Sequence, residues 1–137
     1  MVGILIVSHG AFGEALIHCA SHVLGKRPLR VRQVGVTVHD DPDLILPVAQ
    51  ELVKQLDEGQ GVLVLTDMMG ATPSNIATRL YVPGKVEVLS GASLPMLVRA
   101  LTYRNEDLST VVAKAMSGGH DGIVHLVPSE SNAATGS

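Results

Sequence analysis

Aromatic side chains are nearly absent from this chain of 137 residues: there is no Trp, and Phe12, Tyr81 and Tyr103 are the whole set. That excludes the stacking platforms with which proteins grip single-stranded nucleic acid. Lys and Arg are sparse as well, with no cluster larger than Lys26-Arg27 and a formal net charge of −3, so the basic footprint of a nucleic-acid partner is missing. Cys19 is the single cysteine and cannot close an internal disulfide, and the first residues lack the basic and long apolar regions of a secretion signal. A cytoplasmic protein is expected. The apolar runs at 4–7 and 62–65 are far below the length of a membrane span, so no direct membrane insertion is expected either. No G-x-x-x-x-G-K-[ST] motif occurs, and the first turn, "SHGAFGEAL", lacks the three-glycine dinucleotide fingerprint. ATP and NAD are thus unsupported, and no cofactor is expected.

What the chain does contain is apolar material, 46% against 17% charged, enough for one compact domain with its own core. Strand-like and helix-like stretches alternate along it. Residues 1–7 form a β-branched run, after which Phe12, Ala15, Leu16, Cys19, Ala20, Val23 and Leu24 recur at helical spacing up to Gly25, a helix stop. Residues 31–38 alternate as a strand. Asp41 or Asp43 can cap the next helix, whose stripe is Leu44 or Ile45, Val48, Leu52 and Leu56, ending at Gly59. Residues 61–66 are apolar on both faces, as a central parallel strand is, and Pro73 suits the first turn of a helix with Ile76, Ala77 and Leu80 inward. A fourth strand at 86–89, helices at 95–101 and 108–116 ended by Gly118-Gly119, and a short last strand at 123–127 complete the pattern. The domain is expected to occupy 1–127, with 128–137 as a flexible polar tail.

Such alternation predicts a doubly wound α/β fold, a mainly parallel sheet covered by helices on both faces; the order expected for it is 2-1-3-4, with a short antiparallel C-terminal edge strand. Ligands of these sheets sit beyond the carboxyl ends of the strands, where strand order reverses. His9 closes the first strand and Asp67 the third, so this order brings both to one crevice. Neutral imidazole is a nucleophile near neutral pH once its tautomer and aim are set, and a carboxylate on the other ring nitrogen sets both. The plainer roles are a turn residue for His9 and a helix cap for Asp67; for Asp67, the cap and the catalytic role can coexist. In "DMMGATPSN", Gly70 allows a close turn and Thr72 can cap a helix. The amides of Ser74 and Asn75 are then expected to point outward as an anion site.

Together "IVSHG", "DMMGATPSN" and "LSGASLPML" make residues 1–126 resemble the IIA component of the mannose family of the bacterial phosphoenolpyruvate-dependent sugar phosphotransferase system. The resemblance implies that His9 is phosphorylated by the carrier HPr, that Asp67 is its hydrogen-bond partner, and that Thr72 belongs to the phosphate loop. It further implies a homodimer in which the C-terminal strand completes the sheet. Met68-Met69 and Ala71 depart from better-known members at the surface a partner meets. No IIB domain follows, so the acceptor is expected to be a separate IIB protein or a regulatory target. The phosphoryl donor of dihydroxyacetone kinase is the nearest rival, and a module that senses phosphorylation is the alternative outside catalysis. A metal-dependent hydrolase lacks ligands: His18 and His22, though spaced i, i+4, have no third partner and read as surface. His39-Asp40-Asp41 reads as a loop and helix cap, His120 and His125 as flanks of the last strand, and Cys19 as buried and inert.

Overall fold

The structure, a computed structural model, describes residues 1–128. The elements are β1 (Gly3–His9), α1 (Phe12–Leu24), β2 (Val31–Val36), α2 (Pro42–Leu56), β3 (Val62–Thr66), α3 (Thr72–Thr78), β4 (Val86–Ser90), α4 (Leu94–Thr102) and α5 (Leu108–Asp121). The four strands form a parallel sheet in the order β2-β1-β3-β4. Every residue of β3 is buried, and so is all of β1 up to His9. Continuous apolar runs are what a strand covered on both faces requires. On one face Ile4, Ile6, Leu63 and Leu65 pack with Leu16 and Ile17 of α1, Met96 and Leu97 of α4, and Val111 and Ala115 of α5. On the other, Leu5, Val7, Val34, Val36, Val62 and Val64 pack with Leu46 and Ala49 of α2 and Ile76 and Ala77 of α3. Among the described residues no helix is long and apolar enough to cross a membrane.

Three expectations about the helices are corrected. The buried residues of α1 are Gly13, Leu16, Ile17 and Ala20, leaving Phe12, Val23 and Cys19 exposed. The helix is turned so that Gly13 meets the sheet: a Cβ there would lie 3.1 Å from both Gln33 Cβ and Ser8 Oγ. Helix α2 is capped by Asp41, whose carboxylate accepts the Asp43 N–H at 2.9 Å, and it ends at Leu56. Its inward face is Ile45, Leu46, Ala49, Leu52, Val53 and Leu56; Leu44 and Val48 are exposed. Gly118 and Gly119 do not stop α5 but lie inside it, because there α5 crosses close to α4: a Cβ on Gly118 would stand 2.8 Å from Arg99 Cβ.

The antiparallel edge strand expected at 123–127 is absent. That segment makes one backbone hydrogen bond, from Ile123 N–H to His120 O, and pairs with no strand, while Ile123 and Leu126 are both 85% exposed. With α5 running on to Asp121, the chain leaves the helix beside Pro95. Most of the expected tail, 129–137, lies outside the described residues.

Candidate functional site

The register that pairs Val7 with Thr66 brings the ends of β1 and β3 side by side, at the one place where strand order reverses. His9 is half exposed there, its side chain at 51%, while that of Asp67 is 14% exposed. Asp67 Oδ2 accepts twice from His9, from the backbone N–H at 3.0 Å and from ring Nδ1 at 2.7 Å. Asp67 Oδ1 accepts the Met68 N–H at 3.1 Å. The carboxylate therefore ties the two strand ends together and aims the imidazole. Burial by itself raises the Asp67 pKa, but hydrogen bonds from the His9 backbone and ring outweigh it and hold the carboxyl below its ordinary value. An ionised acceptor on Nδ1 keeps the proton on that nitrogen, so the lone pair sits on Nε2.

A neighbouring strand helps to place the histidine. Gly10 N–H donates to Val36 O at 2.9 Å, and the Gly10 carbonyl lies over Gly35, where any Cβ would collide with it. Gly35 was not singled out from sequence; a glycine inside a strand was the available signal.

The expected anion loop is built differently from its sequence reading. Gly70 has φ +84°, as the close turn demands. Thr72, however, is the first residue of α3 rather than its cap, which is Ala71. Ser74 is buried, and its hydroxyl accepts the Ala71 N–H at 3.1 Å and donates to Ala71 O at 2.8 Å, locking the loop instead of facing outward. The Asn75 N–H bonds Ala71 O at 3.0 Å inside the helix, so of the two expected amides the Ser74 N–H alone lacks a backbone acceptor among the described residues. The helices flanking the crevice, α1 and α3, start at Ala11 and Ala71 without a side-chain cap. By contrast α2 and α4 are capped by Asp41 and Ser93. Beside His9, not around it, a cleft of about 450 Å³ runs past Thr66, Met69, Gly70, Ser74, Asn75 and Ser90. Met69 is 81% exposed, Met68 56% and Phe12 37%, which leaves an open apolar rim at this end of the sheet.

The remaining histidines stay apart from this site. His18 and His22 lie exposed on α1 with ring centroids 6.2 Å apart, and no three metal-ligating side chains gather anywhere among the described residues. His39 is exposed in the turn where Asp40 accepts the Thr37 N–H at 2.7 Å, and His120 belongs to the last turn of α5.

An α/β sheet that presents a carboxylate-aimed histidine at its switch point defines a class of domain suited to histidine chemistry. The chain belongs to the mannose-type IIA family of the phosphotransferase system: the family profile described as "PTS system fructose IIA component" matches residues 3–116. Over 128 residues it is 31% identical to the mannose-specific EIIAB component of Escherichia coli K12, covering 91% of this chain and 39% of that protein. It is 29% identical over 116 residues to the transcriptional regulatory protein LevR of Bacillus subtilis, covering 80% of this chain and 12% of that one. The crystal structure of the phosphotransferase component EIIA from Streptococcus agalactiae superimposes with a TM-score of 0.81 at 30% identity, over 91% of this chain and 97% of that one. The chain thus spans about two fifths of the E. coli relative, 39%.

Proposed function

We propose that the protein is a histidine phosphocarrier, in which His9 Nε2 takes a phosphoryl group from phospho-HPr and passes it to a IIB component. The observation that carries the reading is the 2.7 Å contact between Nδ1 and Asp67 on a half-exposed ring, which in the neutral imidazole places the lone pair on the opposite nitrogen. In the forward step the Nε2 lone pair attacks phosphorus as the donor's P–N bond breaks; the donor ring keeps the electron pair, and the His9 ring becomes positive. Asp67 stabilises that charge. Delivery to IIB reverses the same bond changes.

Electrostatics favour passage over storage. No Lys or Arg occurs in residues 8–16, 37–46 or 66–78, the stretches that build this end of the molecule. A phosphoryl group here meets helix amides and the Thr72 hydroxyl but no full positive charge, so it keeps a high transfer potential. The exposed rim of Phe12, Met68 and Met69 offers a partner an apolar contact that excludes water while the group is passed. A homodimer and a cytoplasmic location belong to this reading; the open edge of β4 and the exposed apolar segment 123–127 support the dimer. Sedimentation at micromolar concentration is expected to give twice the chain mass, and a clean monomer removes the dimer.

The test is incubation with phosphoenolpyruvate, enzyme I and HPr, with intact mass read at neutral pH. One phosphoryl group, acid-labile and alkali-stable, is expected on His9. It should return to unphosphorylated HPr within seconds and be lost to water only over minutes. Labelling that survives His9→Ala overturns the assignment, and hydrolysis indifferent to HPr overturns the carrier role. The likeness to LevR supports a second reading, in which the same phosphorylation regulates a partner instead of feeding transport. Labelled protein that transfers nothing to any IIB component but changes its affinity for a partner would favour that one.

A further inference from the structure

At the opposite end of the sheet, Arg104 is 7% exposed in the turn between α4 and α5. Its Nε and Nη2 donate to Val2 O at 3.1 and 2.9 Å, Nη2 also to Arg30 O at 2.9 Å, and Nη1 to Leu29 O. These bonds clamp the starts of β1 and β2 to the α4–α5 turn. They use four of the five guanidinium hydrogens and leave one on Nη1. All the acceptors are neutral carbonyls, and among the described residues no carboxylate stands within 4.0 Å of this cation. Glu58, the carboxylate whose charge reaches it, is engaged by Arg30 at 3.0 Å. A buried charge ordinarily has a counter-ion. Burial accordingly holds the guanidinium below its ordinary pKa.

Two further observations converge on the same place. Arg104 forms one wall of a hollow of about 300 Å³, shared with Met1, whose ammonium stands 3.8 Å from Glu58, and with Leu24, Lys26, Pro28, Leu29 and Leu101. Lys26 is exposed and makes no ion pair within 4.0 Å among the described residues, unlike its neighbour Arg27, which holds Glu14 at 2.9 Å. Leu29 is 73% and Leu24 40% exposed, so the apolar wall lacks cover. The wall is fixed by a left-handed turn: Arg30 has φ +54°, the single positive φ of a non-glycine residue among those described. Such a conformation is disfavoured for a side chain with a Cβ and persists where the surroundings impose it.

We infer that this hollow is a binding site for a short aliphatic carboxylate, its head between Lys26 and the free Nη1 hydrogen of Arg104 and its chain along Leu24, Pro28, Leu29 and Leu101. One remaining guanidinium hydrogen suits a single carboxylate oxygen better than the several acceptors of a phosphate. The apolar wall calls for a hydrocarbon chain, not a polar metabolite. The site is independent of His9 and of the phosphocarrier reading.

Titration of the whole protein with hexanoate, followed by methyl NMR, tests it. Saturable shifts are expected at Leu24, Leu29 and Leu101 and not at Met68 or Met69. Hexan-1-ol, which lacks the charge, should bind about tenfold more weakly. Octanoate should bind about tenfold more tightly, from two further buried methylenes. Arg104 variants lose the clamp together with the site, so Lys26→Gln is the informative substitution. It should weaken hexanoate about two- to fivefold, leave hexan-1-ol unchanged and leave the urea midpoint where it was. Phosphorylation of His9 should proceed alike with and without hexanoate. The inference is overturned by hexan-1-ol binding as tightly as hexanoate, by hexanoate affinity indifferent to Lys26→Gln, or by no saturable shift up to about 20 mM, an affinity too weak to matter.

Discussion

The two ends of the sheet solve opposite electrostatic problems. At the carboxyl end, four helices begin, their N–H groups point outward, and the loops carry carboxylates but no Lys or Arg. At the amino end, strand and helix termini present carbonyls, and Arg104 satisfies three of them. The strand direction of a parallel sheet decides this, because every crossover helix runs antiparallel to its strands and so starts where they finish. An anion is welcome at one end and a cation at the other. The carboxyl end is left open, with Ala11 and Ala71 in place of side-chain caps, whereas at the amino end Arg104 is largely buried and held by backbone carbonyls. One end is built for exchange, the other for holding.

His9→Ala should separate the two ends most completely. Phosphoryl incorporation should vanish while the unfolding free energy from urea titration stays within about 1 kcal/mol of wild type, since a half-exposed ring contributes little to folding. A protein that still labels, or one that fails to fold, breaks the comparison.

Asp67→Ala comes next. Transfer should slow ~10² to 10⁴-fold, as the loss of an orienting and charge-stabilising group typically does. Stability should fall too, by about 1–3 kcal/mol, because the His9 and Met68 N–H groups lose their acceptor. The pH dependence has a definite sign. Asp67 is depressed in the folded state, so its contribution is present above the unfolded aspartate pKa and disappears as pH falls through the lower folded value. Urea titrations across that acid range should show the wild-type advantage shrinking; a gap independent of pH would mean that the carboxylate's charge is not what holds the strand ends.

Arg104→Met tests the holding end. Removing the donors leaves the Val2, Leu29 and Arg30 carbonyls without them, with an expected loss of about 2–4 kcal/mol by urea denaturation and little change in the transfer rate of whatever remains folded. A loss of transfer larger than the loss of folded protein would show that the two ends communicate.

The smallest effect is expected from Ala71→Ser, which supplies α3 with the side-chain acceptor that it lacks; the backbone there is already extended, at φ −123° and ψ 170°. Stability should rise by about 0.5–1 kcal/mol, and phosphoryl transfer should slow, as the new cap competes for amides left open at the site. Faster transfer would argue that those amides are not used.

Local pattern carried the order of strands and helices and put His9 and Asp67 at strand ends, which the expected 2-1-3-4 sheet then made neighbours. Residue polarity repeats at 2 and 3.6, and crossovers have one hand, so these were legible from the chain alone. Tertiary structure decided which face each helix buries. Gly13, which no apolar count scores, is what α1 turns toward the sheet, and Gly118-Gly119, a stop signal in sequence, serves a close helix crossing instead. It also decided that Ser74 looks inward, that Cys19 is exposed, that 123–127 pairs with no strand, and that Arg104 reaches Val2 across 102 residues. For Gly13, Gly118 and Arg104 the deciding contact joins groups distant in sequence, and local periodicity carries no information about how closely two such backbones approach.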